Sequence, residues 1–94
     1  MAAPHGGVGE ALFRAEVRVA LKKGVADPEG KNARKALELL GFQGLQEVHS
    51  VKLFQMELEA ISEDVARQRV EDMCKRLLAN PVIHDYAITV ERGA

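Results

Sequence analysis

The sequence has little of several residue types, and each shortage excludes a class of protein. Its 94 residues include one cysteine, Cys74, no tryptophan, one tyrosine and three phenylalanines. A single cysteine cannot form an internal disulfide. No apolar run reaches the ~20 residues that a transmembrane helix needs, and no apolar stretch follows a basic start as in a secretory signal. The sequence therefore predicts a cytoplasmic protein that does not enter a membrane.

The charges of the sequence are nearly balanced. There are 13 basic and 14 acidic residues, which give a formal net charge of −1. A surface that binds nucleic acid usually leaves an excess of basic residues, and an RNA-binding sheet carries stacking aromatic rings on its open face. The sequence provides neither, so nucleic acid is not a predicted partner.

The length of the chain predicts one domain. Residues 1–10 hold three of the eight glycines and one of the three prolines, without any periodic pattern. We interpret them as a flexible leader. Residues 11–94 are then a single α+β domain. A domain of this size buries a modest share of its surface, which favours oligomerisation.

The first half of the domain predicts a strand and a helix. Apolar residues alternate with charged ones from Leu12 to Leu21, as in a half-buried strand. The next element is a helix from Pro28 to Leu40. Asp27 can accept hydrogen bonds from the free N–H groups of its first turn, and proline fits the first helical position. Gly41 is placed to end the helix in the left-handed conformation.

The second half predicts two strands in a hairpin, a helix and a last strand. The hairpin covers Gln46 to Ala60, with its turn near residues 51–53, although the turn lacks an Asn-Gly or Asp-Gly signal. Ser62 can cap the second helix, and Pro81 cannot continue it. The last strand runs from about His84 to Glu91. The apolar stripe of the second helix consists of Ala66, Val70, Met73, Cys74 and Leu77.

The predicted order is strand, helix, strand, strand, helix, strand. This βαββαβ order is the ferredoxin-like arrangement, a four-stranded antiparallel sheet with two helices on one face. The other face of the sheet stays open to solvent or to another subunit. It would carry side chains of mixed charge, namely Arg14, Glu16, Arg18, Gln55, Glu57 and Glu59.

The stretch GVADPEGKN, residues 24–32, superficially resembles a phosphate-binding loop. That motif needs four residues between its glycine and Gly-Lys, followed by serine or threonine, whereas five residues intervene here and Asn32 follows. Pro28 also removes one N–H group that would face phosphate. A helix cap explains Asp27, Pro28 and Glu29 together, so we interpret the stretch as a corner between strand and helix.

No other motif predicts an active site. Cys74 lies on the apolar stripe of the second helix, as a buried hydrophobic residue would. The three histidines, His5, His49 and His84, have no metal-ligand spacing. A small hydrolase would have to rely on Lys22 and Lys23, but the loop after them turns acidic. We predict no catalytic residue, no bound cofactor and no metal site on this chain.

Two stretches resemble one known family. LKKGVADPEG, residues 21–30, and LLANPVIHDY, residues 77–86, together resemble the PurS family, the small subunit of bacterial phosphoribosylformylglycinamidine synthase. The likeness extends over about residues 12–91. His84 stands where the family usually has an acidic residue, and Ala26 stands where a larger aliphatic residue is common.

The resemblance implies a role in a multisubunit amidotransferase of de novo purine biosynthesis. A glutaminase subunit (PurQ-like) would release ammonia, and a large synthetase subunit (PurL-like) would bind ATP and magnesium. The small subunit, as a homodimer or higher homo-oligomer, would bridge them and assist ammonia transfer. The alternative is a free-standing dimeric regulatory module that binds a small metabolite. The candidate subunit-contact residues are Lys22, Lys23, Asp27, Pro28, Asn80, Pro81, Asp85 and Tyr86.

Overall fold

The structure is a computed structural model that describes residues 9–93. Most of the leader predicted for residues 1–10 therefore lies outside the described residues. Three antiparallel strands form one sheet in the order β2-β1-β3. The elements in chain order are β1 (Ala11–Leu21), α1 (Pro28–Leu39), β2 (Val51–Ala60), α2 (Glu63–Met73), a π-helical turn (Cys74–Leu78) and β3 (His84–Arg92).

Strand β1 is the centre of the sheet and of the core. Phe13, Ala15, Val17 and Val19 are buried on one face, as their alternation with charged residues predicts. The outer strands place apolar residues on the same face. Those residues are Phe54, Met56 and Leu58 from β2 and Tyr86, Ile88 and Val90 from β3.

Helix α2 covers this apolar face. Ala66, Val70 and Cys74 are fully buried against the sheet. Two residues of the predicted stripe are exposed, Met73 at 38% and, at the C-terminal end, Leu77 at 83%. The chain widens there into a π turn, in which the N–H of Ala79 donates to the carbonyl of Cys74 at 3.0 Å. One extra residue in this turn shifts the helical phase, so Leu78 takes the place on the core that Leu77 would have had.

The predicted hairpin between Gln46 and Ala60 is wrong. Residues 42–50 have no regular secondary structure, and Val51–Ala60 is one uninterrupted strand. The four-stranded ferredoxin-like sheet is therefore replaced by three strands. The glycines with positive φ angles in this part of the chain lie earlier, at Gly41 and Gly44. The residues at 51–53 are Val, Lys and Leu, which can stay extended, so nothing there forces a turn.

Helix α1 does not join α2 on the sheet, in contrast to the prediction. Its C-terminal end is exposed, with Leu39 at 89% and Leu40 at 75%. The axes of the outer strands of a three-stranded sheet lie only about 10 Å apart. One helix with its side chains has about the same width. Helix α2 therefore occupies the available apolar face.

The predicted ends of α1 are confirmed. Asp27 is the N-cap residue and Pro28 lies in the first turn. At the other end, Gly41 has φ +100°, and its N–H donates to the carbonyl of Glu38 while that of Phe42 donates to the carbonyl of Leu37. This pair of bonds is the Schellman motif. No helix within residues 9–93 is long and apolar enough to cross a membrane.

Candidate functional site

The two stretches that carried the family resemblance meet at one end of the sheet. Strands β1 and β3 are paired so that Ala20 faces Asp85 and Leu21 faces His84. The N–H of Lys22 then donates to the carbonyl of Ile83 at 2.8 Å. The Lys22 Nζ and an Asp85 carboxylate oxygen lie 3.9 Å apart. Both side chains are well exposed, so this ion pair adds little stability and mainly marks where the two stretches touch.

Asp27 fastens the helix to the sheet. Its carboxylate accepts from the N–H of Gly30 at 2.9 Å, from the N–H of Ser50 at 2.8 Å and from the Ser50 hydroxyl at 2.8 Å. These bonds favour the ionised form. The bond from the Gly30 N–H comes first among the causes that lower the pKa of the Asp27 carboxyl. One side chain thus caps α1 and also holds the start of β2.

Gly30 allows the helix to lie close to the chain that precedes β2. It is the one buried residue of α1. A Cβ atom at this position would overlap the carbonyl oxygen of Val48 and crowd the Asp27 carboxylate. Glycine is therefore required here by close approach, although it weakens a helix elsewhere.

A compact turn holds the second stretch. The carbonyl of Asn80 accepts from the N–H groups of Ile83 and His84, and its side-chain oxygen accepts from the N–H of Val82 at 3.0 Å. The N–H of Asn80 donates to Nδ1 of His84 at 2.9 Å. His84, the residue that departs from the family pattern, therefore closes this turn. Pro81 is exposed at its tip.

Tyr86 points to the core rather than to the end of the sheet. Its ring packs against the core beside Ile88, and its hydroxyl donates to a carboxylate oxygen of Glu71 at 2.8 Å. This bond to Glu71 is the main reason why the pKa of Tyr86 is raised. The contacts explain the residue as a core tyrosine, and a role for it in binding a partner stays a prediction.

The other candidate groups are the Cys74 thiol and the possible metal ligands. Cys74 is fully buried, as predicted, and burial raises the pKa of its thiol. A buried thiol that is hard to ionise is a poor nucleophile. Within residues 9–93, no three His, Cys, Asp or Glu side chains are grouped so that they could hold a metal ion. His5 lies outside the described residues.

Sequence reasoning missed two residues of this region. Ser50 provides two of the three bonds to Asp27, but it lies 23 positions away along the chain. His84 was considered as a metal ligand, as the start of the last strand and as a departure from the family, but its bond to the N–H of Asn80 was not predicted. A serine before a strand carries no local signal for such a contact, and the Asp27–Ser50 pairing depends on how α1 and β2 are placed.

The comparisons with known proteins give a consistent result. The family model described as PurS, phosphoribosylformylglycinamidine (FGAM) synthase, matches residues 14–92. A PurS subunit of Methanocaldococcus jannaschii is 47% identical over 81 residues, which cover 86% of this chain and 98% of the relative. The crystal structure of M. jannaschii PurS superposes with a TM-score of 0.79 at 45% identity, covering 87% of this chain and 99% of that one.

A chain from the structure of PurLQS of Thermotoga maritima is also similar. It superposes with a TM-score of 0.77 at 28% identity and covers 85% of this chain and 98% of that chain. The matched region includes both helices, β2, β3, all of β1 except its first three residues, and both signature stretches. The chain therefore belongs to the PurS family of subunits of phosphoribosylformylglycinamidine synthase, an enzyme of purine biosynthesis.

Proposed function

We propose that this chain is the non-catalytic small subunit of a phosphoribosylformylglycinamidine synthase complex. In this role it bridges a PurQ-like glutaminase subunit and a PurL-like synthetase subunit and assists the transfer of ammonia between them. The observation that carries the proposal is the match to the PurS family over residues 14–92, with a structural neighbour taken from a PurLQS assembly. The ATP and magnesium belong on the synthetase subunit.

A bridging subunit has a physical purpose in ammonia transfer. Ammonia is small, it becomes protonated near pH 7, and it would diffuse into water between two separate active sites. A docked and water-poor path keeps it neutral and local. A subunit that completes such a path needs a complementary surface with a polar rim rather than catalytic groups of its own.

The end of the sheet offers such a surface. Lys23, Pro28, Asn80 and Pro81 are exposed there, beside the Lys22–Asp85 pair. These side chains lie on two turns and at the start of α1, which hydrogen bonds hold in place. The surface is therefore preformed, and little order has to be gained on binding. We propose that this end contacts the partner subunits, that the chain acts as a homodimer and that the complex is cytoplasmic.

The test is a reconstitution of the three subunits. Synthesis of the amidine product is measured with glutamine and, separately, with ammonium chloride as the nitrogen source. We expect the glutamine-driven rate to fall at least tenfold without this chain. The ammonia-driven rate should change much less, because the synthetase subunit can use free ammonia. The bridging proposal is wrong if omission of the chain changes neither rate.

A pair of substitutions that each introduce one negative charge tests where the contact lies. Pro81→Glu places a charge at the exposed tip of the second stretch, and Leu77→Glu places one at an exposed position on the π turn. We expect Pro81→Glu to lower the glutamine-driven rate and Leu77→Glu to leave it near the wild-type value. Equal effects of the two variants would show that the contact does not lie at this end of the sheet.

A further inference from the structure

A groove with basic walls lies between the β1–α1 corner and the chain that enters β2. It has a volume of about 910 Å³ and is bordered by residues 20–27, by the first turns of α1 and by residues 47–51. This is within the size range of small-molecule sites, which is about 300–1,000 Å³. Its basic residues come from both sides of the corner and are Arg18, Lys22, Lys23, Lys31 and Arg34.

The acidic residues near the groove are already engaged. The Asp27 carboxylate accepts its three hydrogen bonds from Gly30 and Ser50, and Glu47 lies 3.0 Å from the His49 ring. The groove thus contains five basic residues and two acidic residues, both of which have partners of their own. The excess of positive charge is local, because the chain as a whole has a net charge of −1.

Three of the basic residues have no acidic partner among the described residues. Lys22 pairs with Asp85 and Arg34 pairs with Glu38 at 3.4 Å. Across residues 9–93, no carboxylate lies within ion-pair distance of Arg18, Lys23 or Lys31. Like charges that line one concave site repel each other, and they focus a positive potential on the space between them. A bound anion would relieve this repulsion.

We propose that this groove binds a small polyanion with two or more phosphate groups, such as pyrophosphate or the polyphosphate of a nucleotide. A ligand with several negative charges matches the three unpaired cations better than a ligand with a single carboxylate does. The binding mode differs from that of a phosphate loop, because Asp27 occupies the helix N-terminus and the cations on either side of it make the contacts. The inference goes beyond the bridging role, since it requires no partner subunit.

The test is calorimetric titration of the full chain with inorganic pyrophosphate and, separately, with ATP, at constant ionic strength. We expect one saturable site per chain. The double variant Lys23→Ala/Lys31→Ala should weaken binding at least tenfold. The matched control Lys35→Ala/Lys75→Ala removes two exposed lysines that do not line the groove and should bind like the wild type. Circular dichroism confirms that both variants are folded.

Three results would overturn the proposal. The first is the absence of saturable heat with either phosphate compound. The second is an equal loss of affinity in the control variant, which would indicate general attraction of anions to the surface. The third is that neither phosphate compound binds, whereas the chain binds a partner subunit and this binding requires Lys23 and Lys31. In that case the groove receives an acidic protein segment instead.

Discussion

Asp27 makes one contact that the neighbouring sequence predicts and another with a residue far along the chain. Its position before Pro28 makes it a helix cap, which the sequence shows directly. The carboxylate also accepts from the N–H and from the hydroxyl of Ser50, and these bonds link α1 to β2. The sequence does not predict them. Both contacts use the ionised carboxylate, so the charge of this one residue stabilises the corner where the first signature stretch lies.

We predict that Asp27→Asn lowers the melting temperature at pH 7. A carboxyl whose pKa is lowered by folding contributes stability above its ordinary pKa of 3.8, and this contribution is lost as the pH falls through the lowered value. Thermal unfolding followed from pH 7 to pH 2 should therefore show that the difference between variant and wild type shrinks below about pH 4. Asp64→Asn, in the first turn of α2, is the control and should have a smaller effect. A difference that stays constant across this range would contradict the prediction.

The C-terminal end of α2 shows how one inserted residue changes a helix face. Regular α-helical spacing from Val70 and Cys74 places Leu77 or Leu78 on the core, and sequence periodicity favoured Leu77. The π turn decides the choice, since its i→i+5 hydrogen bond advances the face by one residue. Ala79 then follows in an extended conformation and is buried.

We predict that Leu78→Ala lowers the free energy of unfolding by about 1–2 kcal/mol, because it removes a half-buried side chain from the core. Leu77→Ala is the matched control, and for an exposed side chain the change should stay within about 0.5 kcal/mol. Urea denaturation measures both values. A larger loss for Leu77→Ala would mean that the helix continues without the π turn.

The molecule is divided into a packed part and a projecting part. The sheet, α2 and the π turn share the core, whereas α1 is attached mainly through Asp27, Gly30 and Ser50. The far end of α1 presents an apolar cluster to solvent, formed by Leu39, Leu40 and Phe42. Exposed apolar clusters of this kind are typical of protein–protein contacts.

We predict that the proposed homodimer buries this end of α1. The double variant Leu40→Glu/Phe42→Glu should be monomeric, because two charges would have to be desolvated in the contact. Leu77→Glu, which changes an equally exposed leucine elsewhere, should leave the dimer intact. Light scattering coupled to size-exclusion chromatography gives the mass of each. A dimeric double variant would place the contact on another surface.

The sequence by itself determined where both helices, β1 and β3 lie along the chain. It also determined the two helix caps and the apolar faces of the strands. These features depend on residues within a few positions of one another, such as Asp27 with Gly30 or Gly41 with Leu37. It also determined the family, because the two signature stretches are themselves local. The hairpin prediction was wrong, because an extended run without turn residues has the same sequence pattern whether it forms one strand or two.

Only the tertiary structure decided how these parts meet. The pairing of β1 with β3 brings Lys22 to Asp85, and the placement of α1 brings Asp27 to Ser50. A three-stranded sheet has room for one helix, which leaves α1 projecting and opens the basic groove at its base. Contacts between residues far apart in the chain depend on strand register and on the space left by other elements. No short stretch of sequence encodes either of these.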